Sequence, residues 1–327
     1  MATKNVGILA KISRLGLAAL VSAVIGSTYY YFTHRDQLYW VFRCFNQGTN
    51  ISSCFRGDNF DFTTDLFGMR YEGNTGNYID RHILYVGAYE KPLLFLIRDI
   101  MKSAFANQGV FIDVGANTGQ HSLFMSHYSK EVHAFEPYEP VLKKFRRMVE
   151  INSISNIEIH PVGLGSAHAK LPFHKPPDSN LGTGSFVEGF KPDNSYFGEL
   201  EIQVGDEALK KAGVQSVALI KIDIEGYEKL ALQGLQKTLQ SFRPFVVFEL
   251  TTNPQSPVSV KNKLELTSLF PESYDFVVIS EDQGLMTGEY QLVNPDAHVH
   301  FDKLEQHDLL AYPTEKKKYL ARGGSSR

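Results

Sequence analysis

Apolar positions along this chain fall into short β-branched runs separated by helically spaced stretches. Val110–Val114 is one such run, and the segment V-F-I-D-V-G-A-N-T-G closes it with a glycine turn. Beyond Gly119 the spacing becomes helical, with Leu123, Phe124 and Tyr128 on one face. Residues 132–135, 157–160, 217–222 and 244–250 read as further strands. Residues 91–107 carry a helical period with Leu94, Ile97, Met101 and Phe105 as its face, and 138–151 a second. From Lys229 a third runs through Leu230, Leu232, Leu235 and Leu239. A short helix over 262–269 and strands over 274–280 and 307–312 complete the pattern, the last two as a hairpin. Strands alternating with helices predict an α/β fold with an open, mostly parallel sheet. Two stretches carry no period. Residues 37–85 read as a mixed connector capping the sheet. Residues 172–196, dense in Pro, Gly, Asn and Ser, read as a long loop, and loops of that length are usually functional or disordered.

The chemistry sits at two predicted strand tips. Asp113 ends the first strand and is followed by Gly115, Asn117 and Gly119; Glu136 follows the second. An acid about 20 residues beyond a glycine loop is where a doubly wound sheet holds a ribose. The loop is not a dinucleotide fingerprint, because Asn117 and Gln120 stand where G-x-G-x-x-G has its second and third glycines. Asp113 would repel a phosphate and suits an ammonium or sulfonium, so S-adenosylmethionine fits better. The plainer alternative is that Asp113 caps the loop while the glycines only permit a sharp turn. The second tip, A-L-I-K-I-D-I-E-G-Y-E, places Asp223 and Glu225 at the carboxyl end of a strand. If the two strands are neighbours across the switch point of the sheet, Asp223 and Glu225 face the reactive end of the cofactor. Neighbouring carboxylates raise one another's proton affinity, as a general base near neutral pH requires. Here the alternative is that Asp223 or Glu228 caps the following helix.

D-V-G-A-N-T-G, then A-F-E-P at residues 134–137, then I-K-I-D-I-E-G-Y-E together resemble the FkbM-type methyltransferase family. The resemblance covers about residues 89–313, including an upstream Tyr89-Glu90. It implies a class I methyltransferase (Rossmann-like) fold with a seven-stranded sheet and S-adenosylmethionine as cofactor. It also implies a hydroxyl of a sugar or related natural product as acceptor. By motif match Asp113, Gly115, Asn117 and Gly119 should line the methionine end of the cofactor, and Glu136 should hold its ribose. Asp223, Glu225 and Glu228 fall on the D-x-E-G-x-E element. Gln120, followed by His121, stands where many relatives carry an aromatic residue, which bears on pocket shape and not on fold.

Composition then narrows the partners. The 327 residues carry a net charge of -3, so there is no basic excess to grip phosphate backbones and nucleic acid is not expected as substrate. Asn180, Thr183 and Ser185 of the long loop offer hydrogen bonds to a polyol acceptor. His121 and His133 are weaker base candidates than the two acids. No His/Cys set has zinc spacing, and Asp223 with Glu225 alone is too small a cation set, so no metal is expected.

The amino terminus is separate. Residues 1–14 form a short basic tail with Lys4, Lys11 and Arg14. Residues 15–33 read as a transmembrane signal-anchor helix, uncharged through Phe32, with Tyr29, Tyr30 and Tyr31 as an interfacial belt. A cleaved signal peptide is the rival, since Val21-Ser22-Ala23 offers small residues. Residues 34–88 would connect this anchor to a methyltransferase domain at 89–313, and 314–327 form a basic tail. Cys44 and Cys54 bracket an acceptor sequon at Asn50, which an oxidising lumen would exploit. The basic flank agrees with that side, Arg35 and Arg43 weaken it, and the cytosolic origin of S-adenosylmethionine opposes it. The balance leans to the extracytoplasmic side. The sequence therefore predicts a membrane-anchored O-methyltransferase acting on a saccharide, glycolipid or related hydroxyl. The alternative is a catalytically silent membrane protein that keeps the fold as a binding or trafficking module.

Overall fold

A computed structural model describes residues 59–280 and 287–320. The proposed anchor at 15–33, Cys44, Cys54 and the Asn50 sequon lie outside the described residues. The compact unit begins at Phe60.

The chain opens with a hairpin, β1 (Asp61–Leu66) and β2 (Met69–Asn74), then helices α1 (Tyr78–Val86) and α2 (Lys91–Phe105). The sheet core follows: β3 (Val110–Val114), α3 (Gln120–Ser126), β4 (Glu131–Phe135), α4 (Glu139–Ile151) and β5 (Ile157–His160). Next come β6 (Gly163–Gly165), β7 (Ala169–Lys175), β8 (Ser195–Val204) and α5 (Gly205–Lys211). Then β9 (Leu219–Ile222), α6 (Glu228–Gly234), α7 (Gln236–Phe242) and β10 (Phe245–Thr252) return to the sheet. The chain closes with α8 (Lys263–Ser268), β11 (Tyr274–Ser280), β12 (Gln291–Val293) and β13 (Glu305–Pro313).

The main sheet runs β12-β11-β13-β10-β9-β3-β4-β5. From β10 to β5 the neighbours are parallel, and β13, β11 and β12 add antiparallel pairs at the other side. The expected sheet had seven strands; among the described residues it has eight. The addition is β12, whose three residues are too short to show a period of two. β3 and β9 are buried at every position, as strands covered on both faces must be, which is why they read as continuous apolar runs. The chain proceeds from β3 outward through β4 and β5, then returns to place β9 on the opposite side of β3. The strand order therefore reverses between β3 and β9, with Asp113 level with Lys221 and Val114 with Ile222.

Both stretches without a period contain regular structure. The hairpin alternates exposed and buried residues, with Phe62, Thr64 and Leu66 inward; a buried threonine disguised the pattern. Buried Asp80 ties hairpin and helices together, accepting from Tyr71 Oη (2.8 Å), Asn74 N (2.8 Å) and Lys144 Nζ (2.5 Å). Four polar groups thus satisfy one another where an isolated charge would be costly. The long loop is bounded by β7 and β8, which with β6 form a three-stranded sheet. Pro172 sits within β7, an edge strand of that sheet, which is where a residue lacking an N–H is tolerated.

Candidate active site

The reversal between β3 and β9 opens a cleft of about 970 Å³, including its open mouth. Its walls come from both strand tips, from the turn after β4, from Tyr89 and Glu90 ahead of α2, and from residues 180–184 of the long loop. The β3 tip turns sharply at Gly115, with φ +82°. A Cβ there would overlap the carbonyl of Asp223, so glycine is what lets the two tips meet. Asn117, at φ +52°, turns its N–H onto Glu136 Oε2 (3.0 Å) and its side-chain amide onto Leu181 O (3.1 Å). The other Glu136 oxygen accepts from Tyr138 N (2.9 Å). Each carboxylate oxygen keeps lone pairs for a further donor.

Gly115, Asn117, Glu136, Asp223 and Glu225 are thereby gathered into one cleft. Asp113 and Gly119 are not among its lining. Asp113 is fully buried beneath the floor, bonded to Ser122 Oγ (2.6 Å), with its second oxygen unpartnered. Gly119 lies against Phe145, where a Cβ would overlap the ring, so it serves packing behind the loop. Glu228 also turns out to hold backbone: its Oε1 accepts from Ile224 N (3.2 Å) and Gly226 N (3.0 Å). That is the capping alternative in a modified form, cradling the turn before the helix. Ser185 is committed as well, donating to Glu225 O (2.6 Å) and accepting from Val187 N (2.9 Å). It fixes Glu225 in its left-handed conformation (φ +52°) and has no hydroxyl proton left for a polyol. Asn180 and Thr183 do line the cleft.

Three further wall residues were not singled out from sequence. Lys221, 3% exposed on β9, donates to Asp223 Oδ2 (2.9 Å). Burial opposes its charge, but Asp223, Asp113 and Glu90 outweigh that and hold its ammonium well above the usual lysine range. Glu90 is pushed up to about 8 by burial and by Asp223 and Asp308. It lies 3.5 Å from His121 Nε2, which burial and Lys221 hold low. Gln120 grips the backbone beside it, accepting from Tyr89 N (2.7 Å) and donating to Tyr89 O (2.8 Å). An amide makes that two-pronged clamp where an aromatic ring would not. Glu249 on β10 is raised by burial and by Asp223 and Glu225. Asp223, Glu225 and Glu249 hold carboxylate oxygens within 4.8 Å of one another, close enough for a divalent cation. The Gln306 amide donates to Glu249 (2.8 Å) and Glu225 (3.4 Å). Glu225 is itself pushed up to about 8 by burial and by Asp223.

The lining thus combines Gly115, Asn117 and Glu136, and apolar Tyr138, Val141 and Leu181, with a crowded acid group and one lysine. The family model for the methyltransferase FkbM domain matches residues 113–278, just over half of the chain. "Methyltransferase 1" of Beauveria bassiana is 27% identical over 179 residues, 49% of this chain and 72% of that relative. The hexuronic acid methyltransferase AglP of Haloferax volcanii is 28% identical over 200 residues, 60% of this chain and 76% of that relative. A solved methyltransferase FkbM from Methylobacillus flagellatus KT shares 18% identity and a TM-score of 0.39 over 63% of this chain; the match spans 44%, less than half, of that solved chain.

Proposed function

This chain belongs to the FkbM methyltransferase family, whose members use S-adenosylmethionine, and on that premise we propose that it methylates a hydroxyl of a saccharide or related small molecule from an N-terminal membrane anchor. The carrying observation is that two acid-bearing turns, at Glu136 and at Asp223–Glu225, open into one cleft at the strand reversal. Bound S-adenosylmethionine supplies a methyl group on a sulfonium. The backbone at Gly115 allows close approach of the cofactor, and the free lone pairs of Glu136 receive the ribose hydroxyls. The acid group then takes the acceptor side. There a hydroxyl must be held in line with the methyl group and relieved of its proton, and Asp223 and Glu225 are the groups placed for it. Relatedness to a hexuronic acid methyltransferase supports a saccharide acceptor.

Calorimetry tests the premise. S-adenosylmethionine should bind with measurable heat at high micromolar concentration, and its absence would abandon the enzymatic reading. Glu136→Ala removes two charge-assisted contacts to backbone N–H groups as well as the ribose acceptor, so affinity should fall roughly ten- to a hundredfold. Unchanged affinity would remove Glu136 from the cofactor site.

The anchor reading rests on the uncharged stretch at 15–32 and its basic flank. Among the described residues no helix is long and apolar enough to cross a membrane. Full-length protein should sediment with membranes and resist alkaline extraction; recovery in the soluble fraction would end that part of the proposal.

A further inference from the structure

Away from the cleft walls, β4 and β5 bring together two histidines and a glutamate that methyl transfer does not use. In the parallel register His133 lies level with Glu158, and His160 two residues further along β5. His133 Nδ1 lies 3.1 Å from His160 Nε2, with the rings within 12° of parallel. Glu158 places Oε2 3.6 Å from His133 Nδ1. One donor atom from each of the three lies within 4.8 Å of the other two. We propose that His133, Glu158 and His160 form a binding site for a divalent transition metal of the zinc class.

The separation of the nitrogens is the first argument. Two imidazole nitrogens bound at about 2.0–2.1 Å to one tetrahedral ion lie roughly 3.3 Å apart, and these are almost there already. A simple imidazole–imidazole hydrogen bond explains the two rings but gives no role to Glu158. The carboxylate supplies the third, anionic ligand that the common His₂Glu arrangement uses. The outer shell is also present: Glu131 Oε2 lies 3.8 Å from His133 Nε2, on the far side of the ring from the donor atom. A carboxylate on that side draws the ring proton to Nε2, the tautomer that leaves Nδ1 free to ligate. Glu158 is largely exposed and β5 is an edge strand, so an ion can enter and a fourth position stays open to water. Sequence spacing carries no zinc signature because α4 separates the two strands; only their pairing assembles the set.

The site has a structural consequence. His160 O accepts from Glu136 N (3.1 Å), so an ion that staples β5 to β4 also steadies the turn bearing Glu136. The proposal itself does not depend on methyl transfer, and its test needs no acceptor. Full-length, tag-free protein stripped with chelator should compete with a chromophoric chelator for one equivalent of Zn²⁺ at micromolar or tighter affinity. Zinc should also raise the thermal midpoint. Glu158→Gln, at an exposed position that the fold does not need, and His160→Asn should each weaken binding at least tenfold. Failure of the wild type to compete, or wild-type affinity in either variant, would overturn the assignment.

Discussion

Replacing Lys221 by methionine is expected to cost the fold about 3–5 kcal/mol at neutral pH, the usual penalty for removing one partner of a buried ion pair. The side chain is almost fully buried on a central strand, and its volume would be kept. What disappears is the one ammonium among Asp113, Asp223 and Glu90. Asp223 is partly exposed and can be hydrated. Asp113 cannot, since it is fully buried and only Ser122 bonds it. Burial already pushes the Asp113 carboxyl up, while Lys221 and Ser122 pull it back. Without the lysine its folded-state proton affinity rises further above that of the unfolded chain. A group raised in this way contributes stability at low pH and loses it as pH climbs toward its folded value. The gap between wild type and Lys221→Met should therefore be smaller at pH 5 than at pH 8. Urea unfolding at the two pH values reads this directly. A gap below about 1 kcal/mol, or one that does not move with pH, would show that Lys221 is held by packing and not by its acids.

Lys221 also shows where sequence reading stopped. The strands at the reversal were legible because central parallel strands are apolar on both faces, and β3 and β11 were placed with their observed ends. Adjacency of β3 and β9, stated only as a condition, is what the fold provides. The acids at the turns were legible as well, because a carboxylate after a strand and before a helix has few places to go. Lys221 and Glu249 were passed over as polar positions inside apolar runs. Yet a charge within a strand that is otherwise buried must be paired or must shift its proton equilibrium, and that cost was the available signal. Glu90 is visible in the sequence only as part of a motif, since nothing local says that the turn ahead of α2 folds over the cleft. Asp113 and Gly119 stand outside the cleft lining for a geometric reason. Loop motifs record which residues a turn needs, and some of them support the turn from behind.

Glu225→Gln is expected to lower turnover by about a hundred- to ten-thousandfold, the usual contribution of a positioned general base. Cofactor affinity should stay within a few fold, because Glu225 clusters with Asp223 and Glu249 while the ribose contact is assigned to Glu136. Wild-type turnover should rise with pH through about 8, since Glu225 is pushed up to that value by burial and Asp223, and only the deprotonated form can take the acceptor proton. A bound sulfonium favours the carboxylate, so the limb measured at saturating cofactor should lie at or below that pH. Asp223→Asn separates the two acids. It also slows the reaction, through lost positioning, but it removes a negative charge that raises Glu225. Its rising limb should persist and move to lower pH, whereas Glu225→Gln should have no limb. The assay can follow transfer of labelled methyl to the fraction of a cell extract that accepts it, with products identified by mass spectrometry. A Glu225→Gln enzyme that keeps a tenth of its turnover, or keeps the limb, would pass the proton-accepting role to Asp223 or Glu249. A limb that stays fixed in Asp223→Asn would show that the Asp223 charge does not raise Glu225, and the paired-acid account of this cleft would fall with it.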